Sequence, residues 1–206
     1  MELVIASRNM HKIREFRAMI KKLGAFDLLS LIDFPNYQPL PETGATFEAN
    51  ALIKAEHAAK SLNRWVIADD SGLVVPALKG APGVYSRRFA GENATDKENR
   101  QKLLKEMSHI QEPFRQGYFE CWVAIASPDG IKKTAKGVSE GMITEQERGS
   151  KGFGYDAIFV KHEYGKTFAE LDEETKNRIS HRRKALDKLV PFLEALLQDS
   201  SDALSR

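Results

Sequence analysis

The sequence predicts an α/β fold built on a mixed sheet, and three observations carry that prediction. Short apolar runs alternate with helically spaced segments through the first half of the chain, the pattern of strands joined through helices. Residues 116 to 127 and 131 to 143 read as two strands around Pro128-Asp129-Gly130, a hairpin signal that adds an antiparallel pair. Hydrophobic residues make up 42% and charged residues 29% of 206 positions, the composition of one sizeable packed domain, or one domain with a small second lobe.

Val4, Ile5 and Ala6 form the expected first strand, and Ile13, Phe16, Ile20 and Leu23 then fall at helical spacing up to Gly24. Residues 27 to 32 suit a second strand. The proline-rich stretch NYQPLPETG forces a loop that delivers Glu42 to a helix capped by Thr46, with Phe47, Ala51, Ala55, Ala58 and Leu62 on one stripe and Asn50 and Lys54 together on another face. WVIAD reads as a strand that ends at its carboxylates, LVV as a separate one, and residues 77 to 91 as a glycine-rich connection before an exposed helix, TDKENRQKLLKEM. AIFV supplies a further strand. A final helical stretch carries Ile179, Leu186, Leu189, Leu193 and Leu196 on one stripe, and Pro191, which lacks a backbone donor, should kink or restart it. Residues 1 to 197 are expected to form the domain and 198 to 206 a frayed, flexible tail.

Composition excludes several classes. A net charge of +2, from 31 basic and 29 acidic residues, gives no field able to hold a polyanion, so nucleic-acid binding gains no support. The single cysteine, Cys121, lies in YFECWVAIAS as a buried strand thiol that cannot form an internal disulfide, which fits a reducing compartment. The apolar run in MELVIASRNMHK is too short for a signal segment and no later run approaches a membrane span, so a cytoplasmic protein is expected.

Four segments could carry chemistry. Ser7, Arg8, Asn9, Met10, His11 and Lys12 stand where the first strand meets the first helix, and their donors cluster where free N–H groups and the helix dipole already favour an anion. Ser7 and Asn9 could equally be mere caps, which leaves Lys12 unexplained. No P-loop and no G-x-G-x-x-G is present, so side chains would have to hold much of any phosphate. In VIADDSGL, Asp69 and Asp70 point to opposite sides of the strand, so one can turn into the sheet while the other faces a crevice and binds Mg²⁺ with help from Glu42. The competing explanation is an Asx-type turn at the Ser-Gly bend. In GFGYD, glycines around Phe153 and Tyr155 let a planar ring approach and stack, while Asp156 offers acceptors to a base edge; a tight turn burying two aromatics is the plainer account. The basic run from Lys176 to Lys184 opens the last helix, where Ser180 can cap and His181 and Arg182 project from the first turn, a poor place for cations unless an anion or polar ligand is present.

Taken in order, SRNMHK, ETGATFEANALIKA, IADDSGL, GAPGVYSRRFAG, GFGYDAIF and ISHRRKAL resemble the inosine triphosphate pyrophosphatase family, over nearly the whole chain from Ser7 to Leu186. The resemblance implies a two-lobed α/β fold on a long mixed sheet with a nucleotide groove between the lobes, a homodimer, and hydrolysis of deaminated purine triphosphates (ITP, dITP, XTP) to monophosphate and pyrophosphate. Position by position, it implies that Ser7, Asn9, Lys12 and Lys54 hold the triphosphate, with Arg8, Met10 and His11 in the same segment. Glu42 and Asp70 would hold Mg²⁺, Asp70 would accept the proton, and Ser71 would touch substrate. Phe153 and Gly154 would face the purine, with Tyr155 and Asp156 completing that wall, and Lys176, His181 and Arg182 would hold or read the base. The chain departs from the usual pattern at Ala49, where glutamate is common, at Lys151 and at Ala157. Asp69 competes with Asp70 as the base, because strand alternation lets either face the groove. Two rivals stand beside this reading: a pyrophosphatase for modified pyrimidine or ordinary triphosphates, and a non-catalytic nucleotide- or RNA-binding protein gripping with SRNMHK and SHRRK.

Overall fold

The computed structural model describes residues 1 to 24 and 26 to 204, and side chains beyond residue 200 are not considered. Seven strands form one mixed sheet in the order β2-β1-β3-β4-β5-β6-β7, where β1 is Glu2–Ile5, β2 Asp27–Ser30, β3 Val66–Val74, β4 Gln116–Ser127, β5 Gly130–Ile143, β6 Phe159–Lys161 and β7 Lys166–Thr167. Strand β1 pairs in parallel with β2 and β3, whereas β6 pairs antiparallel with β5 and β7. The α/β class and the mixed sheet are as expected from the sequence.

Two compact units are distinguished: Met1–Asp70 with Cys121–Gly137 and Arg182–Arg206, and Ser71–Glu120 with Val138–His181. In the first, helices α1 (Met10–Ile20) and α2 (Phe47–Leu62) form as the apolar spacing requires. Asn9 caps α1 by accepting from the N–H groups of His11 and Lys12, and Thr46 caps α2 by accepting from Ala49. Ile13, Phe16 and Ile20 of α1 pack with Leu3, Ile5 and Ile67 of the strands in one core, and Ala51, Ala55 and Ala58 of α2 pack with Val4, Val66 and Ala68 in another. In the second unit, α3 (Asp96–Glu106) starts with a reciprocal capping box between Thr95 and Glu98 and buries Leu103, so it is not the wholly exposed helix its charge suggests. That unit's core gathers Phe119, Phe159 and Phe168, whose rings meet edge-on or stacked.

Two sequence expectations are corrected. The carboxylates of IADDSGL neither end a strand nor make a turn: β3 runs unbroken through Asp69, Asp70, Ser71 and Gly72, and LVV is its continuation. Lateral pairing in a sheet outweighs the local preference of Asp, Ser and Gly for turns. The basic run opens no single last helix: α4 (Glu173–Ile179) stops where Ser180 is extended, and α5 (His181–Asp187) then begins with His181 and Arg182 in its first turn, as expected; α6 (Val190–Leu204) is the restart expected at Pro191, which sits in its first turn, where a missing N–H costs nothing. Of the segment expected as a tail, residues 198 to 204 continue α6, and Ser205 and Arg206 lie outside the described residues.

Candidate active site

In the first unit the two adjacent carboxylates of β3 are separated by strand geometry. Because alternate strand residues face opposite ways, Asp69 and Asp70 enter two different charge clusters. Asp69 Oδ2 accepts from Nε and Nη2 of Arg182 at 3.2 and 2.9 Å and from Nζ of Lys12 at 3.0 Å. Arg182 also pairs through Nη1 with Glu15 of α1. Burial would push the Asp69 carboxyl up, but the charges of Arg182, Lys12 and Lys54 overcome it and hold the group far below the usual carboxylate range.

Asp70 faces α2 instead. Its Oδ1 lies 2.7 Å from Nζ of Lys54, its Oδ2 accepts from Nδ2 of Asn50 at 3.1 Å, and Lys54 reaches Oε1 of Glu42 at 2.8 Å. Burial pushes the Asp70 carboxyl above its ordinary value, with Glu42 adding to the rise and Lys54 and Lys12 only partly opposing it. Burial alone would lower the Lys54 ammonium; Asp70, Glu42 and Asp69 outweigh it and raise Lys54 above its ordinary value. Asn50, 1% exposed, also accepts the N–H of Gly44 through Oδ1 at 2.7 Å, so a single amide ties the loop of Glu42 to Asp70. Only glycine fits at position 44, since a Cβ there would lie 2.6 Å from that oxygen.

The strand-to-helix segment is arranged more modestly. Ser7 Oγ accepts from the N–H of Asn9 at 3.1 Å, and Asn9 caps α1, so both side chains have the capping role that competes with phosphate binding. Arg8 donates to the carbonyl of Tyr37 at 2.8 Å, while Met10 and His11 lie exposed on the first turn. Lys12 is turned inward to Asp69. Ser71, half-buried, follows Asp70 along β3.

The second unit holds the GFGYD segment. Asp156, 4% exposed, accepts from the N–H of Phe153 at 2.9 Å and from Lys176 Nζ at 2.6 Å, and the same ammonium lies 4.7 Å from the centre of the Phe153 ring. Gly152 has φ of +75°, and any side chain there would strike the Asp156 carboxylate. Tyr155 is a buried anchor whose hydroxyl donates to the carbonyl of Ser86 at 2.8 Å; burial raises it well above the ordinary tyrosine range. Phe153 and Gly154 remain partly exposed. The ring of His181 stacks on Phe119 with centroids 4.8 Å apart.

The structure thus brings Phe153, Asp156 and Lys176 together in one unit and Lys12, Glu42, Lys54, Asp69 and Asp70 in the other. Arg182 belongs to the second of these sets, through Asp69, although it adjoins His181 in sequence; successive helical residues leave the axis about 100° apart. Sequence reasoning noted Asn50 only as sharing a helix face with Lys54 and passed over Glu15. Asn50 carried a signal in its four-residue spacing from Lys54, and Glu15 carried one as a carboxylate beside the buried stripe of α1. Among the described residues no three or more His, Cys, Asp or Glu side chains group as a metal site; Glu42 and Asp70 meet as two carboxylates on Lys54.

The Ham1 family model matches residues 3–192. The chain is 57% identical over 197 residues to the dITP/XTP pyrophosphatase of Protochlamydia amoebophila (strain UWE25), covering 95% of this chain and 99% of that protein. It is 54% identical to the dITP/XTP pyrophosphatase of Chlamydia caviae over 96% of this chain and 97% of that one. Among solved structures, the Staphylococcus aureus Ham1 protein is similar with a TM-score of 0.82 at 43% identity, covering 95% of this chain and 99% of that chain. A HAM1 protein from Coxiella burnetii gives 0.85 at 40%, covering 94% and 98%. A match of this span, with relatives above half identity along almost their whole length, means that the chain belongs to the Ham1 family.

Proposed function

We propose that this protein hydrolyses deaminated purine nucleoside triphosphates, dITP, ITP and XTP, to the monophosphate and pyrophosphate, keeping them from polymerases. The observation that carries the reading is the convergence of Asp70 and Glu42 on one Lys54 ammonium, in a chain 57% identical to a protein named dITP/XTP pyrophosphatase. That point already holds a positive charge between two hard oxygen donors. Two carboxylates, with water and phosphate oxygens, suit Mg²⁺, which needs no cage made wholly of protein. The charge balance points the same way. Lys12, Lys54 and Arg182 stand against Glu15, Glu42, Asp69 and Asp70, leaving the two clusters together one negative charge, and the one of Lys54, Glu42 and Asp70 carries it, which would repel a triphosphate without a further cation.

In this reading Glu42 and Asp70 hold Mg²⁺, which when bound neutralises phosphate charge and polarises the phosphoryl oxygens. Asp70 takes a proton from a water that bonds to the α-phosphorus as the bond to the bridging oxygen breaks and pyrophosphate leaves. Lys12 and Lys54 offset the charge on the phosphates, with Ser7, Asn9 and the start of α1 adding donors. Asp70 suits the base role better than Asp69: burial lifts its proton affinity, while Asp69 is committed to Arg182 and Lys12. Phe153 stacks on the purine, and donors from Lys176 and His181 favour the 6-keto acceptor of hypoxanthine or xanthine over the 6-amino group of adenine. Arg182 supports the site through Asp69.

The same reading makes the enzyme a cytoplasmic homodimer with nucleotides, not nucleic acid, as partners. Among the described residues no helix is long and apolar enough to cross a membrane. The test is product analysis with purified protein and Mg²⁺, comparing ITP, XTP, GTP and ATP and separating pyrophosphate from orthophosphate. Monophosphate and pyrophosphate from ITP and XTP, lost in Asp70→Asn, are expected. Turnover directed at ATP or pyrimidine triphosphates, or none without regard to Mg²⁺, would return the choice to the rival readings.

A further inference from the structure

Phe153 sits in a loop that is held in part by a helix outside it. Gly154, the next residue, donates its N–H to Oδ2 of Asp96 at 2.7 Å, and its carbonyl accepts from Nη1 of Arg100 at 2.8 Å. Asp96 and Arg100 are four residues apart on α3 and so share one face of it. Arg100 extends through Nη2 to Oε2 of Glu147 at 3.0 Å, at the entry to the same loop. Asp96 stands in the first turn of α3, where the helix dipole favours a carboxylate and the Thr95–Glu98 capping box fixes the helix start. On its other side, the Phe153 N–H is held by Asp156 at 2.9 Å.

These bonds fix the peptide groups on both sides of Phe153 and hence the direction in which its side chain leaves the backbone. We propose that Asp96 and Arg100 are positioning residues for the nucleotide base: they clamp Gly154 so that the Phe153 ring is presented for stacking. This rests on the reading that Phe153 stacks on the purine. Neither residue touches the base. Both act through Gly154, so losing either one should misalign the ring while leaving the phosphate-binding residues of the other unit intact.

The test is steady-state kinetics with ITP and Mg²⁺ for Asp96→Ala and Arg100→Met, each alone and combined with Phe153→Ala. Inhibition by inorganic tripolyphosphate, which has no base, is measured in parallel. Each single variant should raise KM for ITP about tenfold, the loss of one charge-assisted hydrogen bond, with a smaller change in kcat. The tripolyphosphate inhibition constant should stay within about twofold of wild type, and neither substitution should add to the KM effect of Phe153→Ala. Arg100→Lys, which keeps one donor, should recover part of the affinity.

Wild-type KM in both clamp variants, with Phe153→Ala impaired, overturns the proposal alone. So do effects that add in full to those of Phe153→Ala, or an equal shift in the tripolyphosphate constant, since either marks a general loosening of the fold. Unchanged KM in Phe153→Ala overturns the stacking reading, and the proposal with it.

Discussion

The guanidinium of Arg182 lies 2.9 Å from Oδ2 of Asp69, with the side chains 1% and 2% exposed. Removing the carboxylate would leave the buried Arg182 with Glu15 as its remaining acidic partner and would break the ion pair of the partly buried Lys12. Breaking a buried pair of this kind costs about 3–5 kcal/mol. Asp69→Asn should therefore lose that order of stability at neutral pH, read from urea unfolding. The folded-state value of Asp69 is depressed, so its contribution is complete above the unfolded carboxyl value near 3.8 and declines as pH falls below it. The gap between wild type and variant should narrow over that acid range. An equal gap at pH 7 and pH 3 would exclude this assignment.

Its neighbour should behave in the opposite way. Burial raises Asp70, so in metal-free protein the ionised form is the disfavoured one, and stability falls as pH rises from about 3.8 through the raised value. With chelator present, Asp70→Asn should be at least as stable as wild type at pH 7 while losing about 10²–10⁴-fold in kcat, the usual contribution of a general base. Two adjacent aspartates would then be separated by two measurements, a melting curve and a turnover number. A variant as active as wild type would remove Asp70 from the mechanism.

The contrast between these two residues shows what the sequence could and could not convey. Alternation along a strand predicted that Asp69 and Asp70 would point apart, and the stripes of α1 and α2 placed the cores that support them. Strand continuity through Asp-Asp-Ser-Gly was hidden, because those residues favour turns locally and the pairing that keeps them extended comes from distant segments. The role of Arg182 was hidden for the same reason: its partners Glu15 and Asp69 lie 167 and 113 residues away in sequence. A basic run reads as a solvated face until a fold supplies buried carboxylates for it. The sequence named Tyr155 together with Phe153 and Asp156 in GFGYD, but it could not show that Tyr155 is anchored to Ser86, 69 residues earlier.

Cys121 provides a probe of the same interior. Burial raises its thiol well above the ordinary range, with the Asp69 charge adding to the rise and Arg182 and Lys12 opposing it. Since the thiolate is the reactive form, native protein at pH 7.5 should resist iodoacetamide and become labelled only as it unfolds. Labelling monitored by mass spectrometry across a urea series should follow the unfolding curve. Full modification without denaturant, at the rate of a free thiol, would contradict the buried placement.

Gly44 gives the most local test of how Glu42 and Asp70, the two carboxylates on Lys54, are spaced. Its N–H donates to Oδ1 of Asn50, whose Nδ2 donates to Asp70, so the loop carrying Glu42 and the strand carrying Asp70 meet at this amide as well as at Lys54. A methyl group at position 44 would lie 2.6 Å from that oxygen, 2.8 Å from Cβ of Ala49 and 2.9 Å from the backbone nitrogen of Asn50. Two of those neighbours belong to the first turn of α2 and cannot swing aside, so the loop must move. Displacement of about 1 Å in a catalytic group costs on the order of a hundredfold. Gly44→Ala should lower kcat by roughly that factor. It should also raise the Mg²⁺ concentration needed for half-maximal rate and leave the melting temperature within about 5 °C of wild type, a shift of roughly 1–2 kcal/mol. Asn50→Leu, which removes both hydrogen bonds but fits the space differently, should show the same pairing of lowered kcat and weakened Mg²⁺ response. If Gly44→Ala alters neither quantity, the spacing of Glu42 and Asp70 does not depend on this contact.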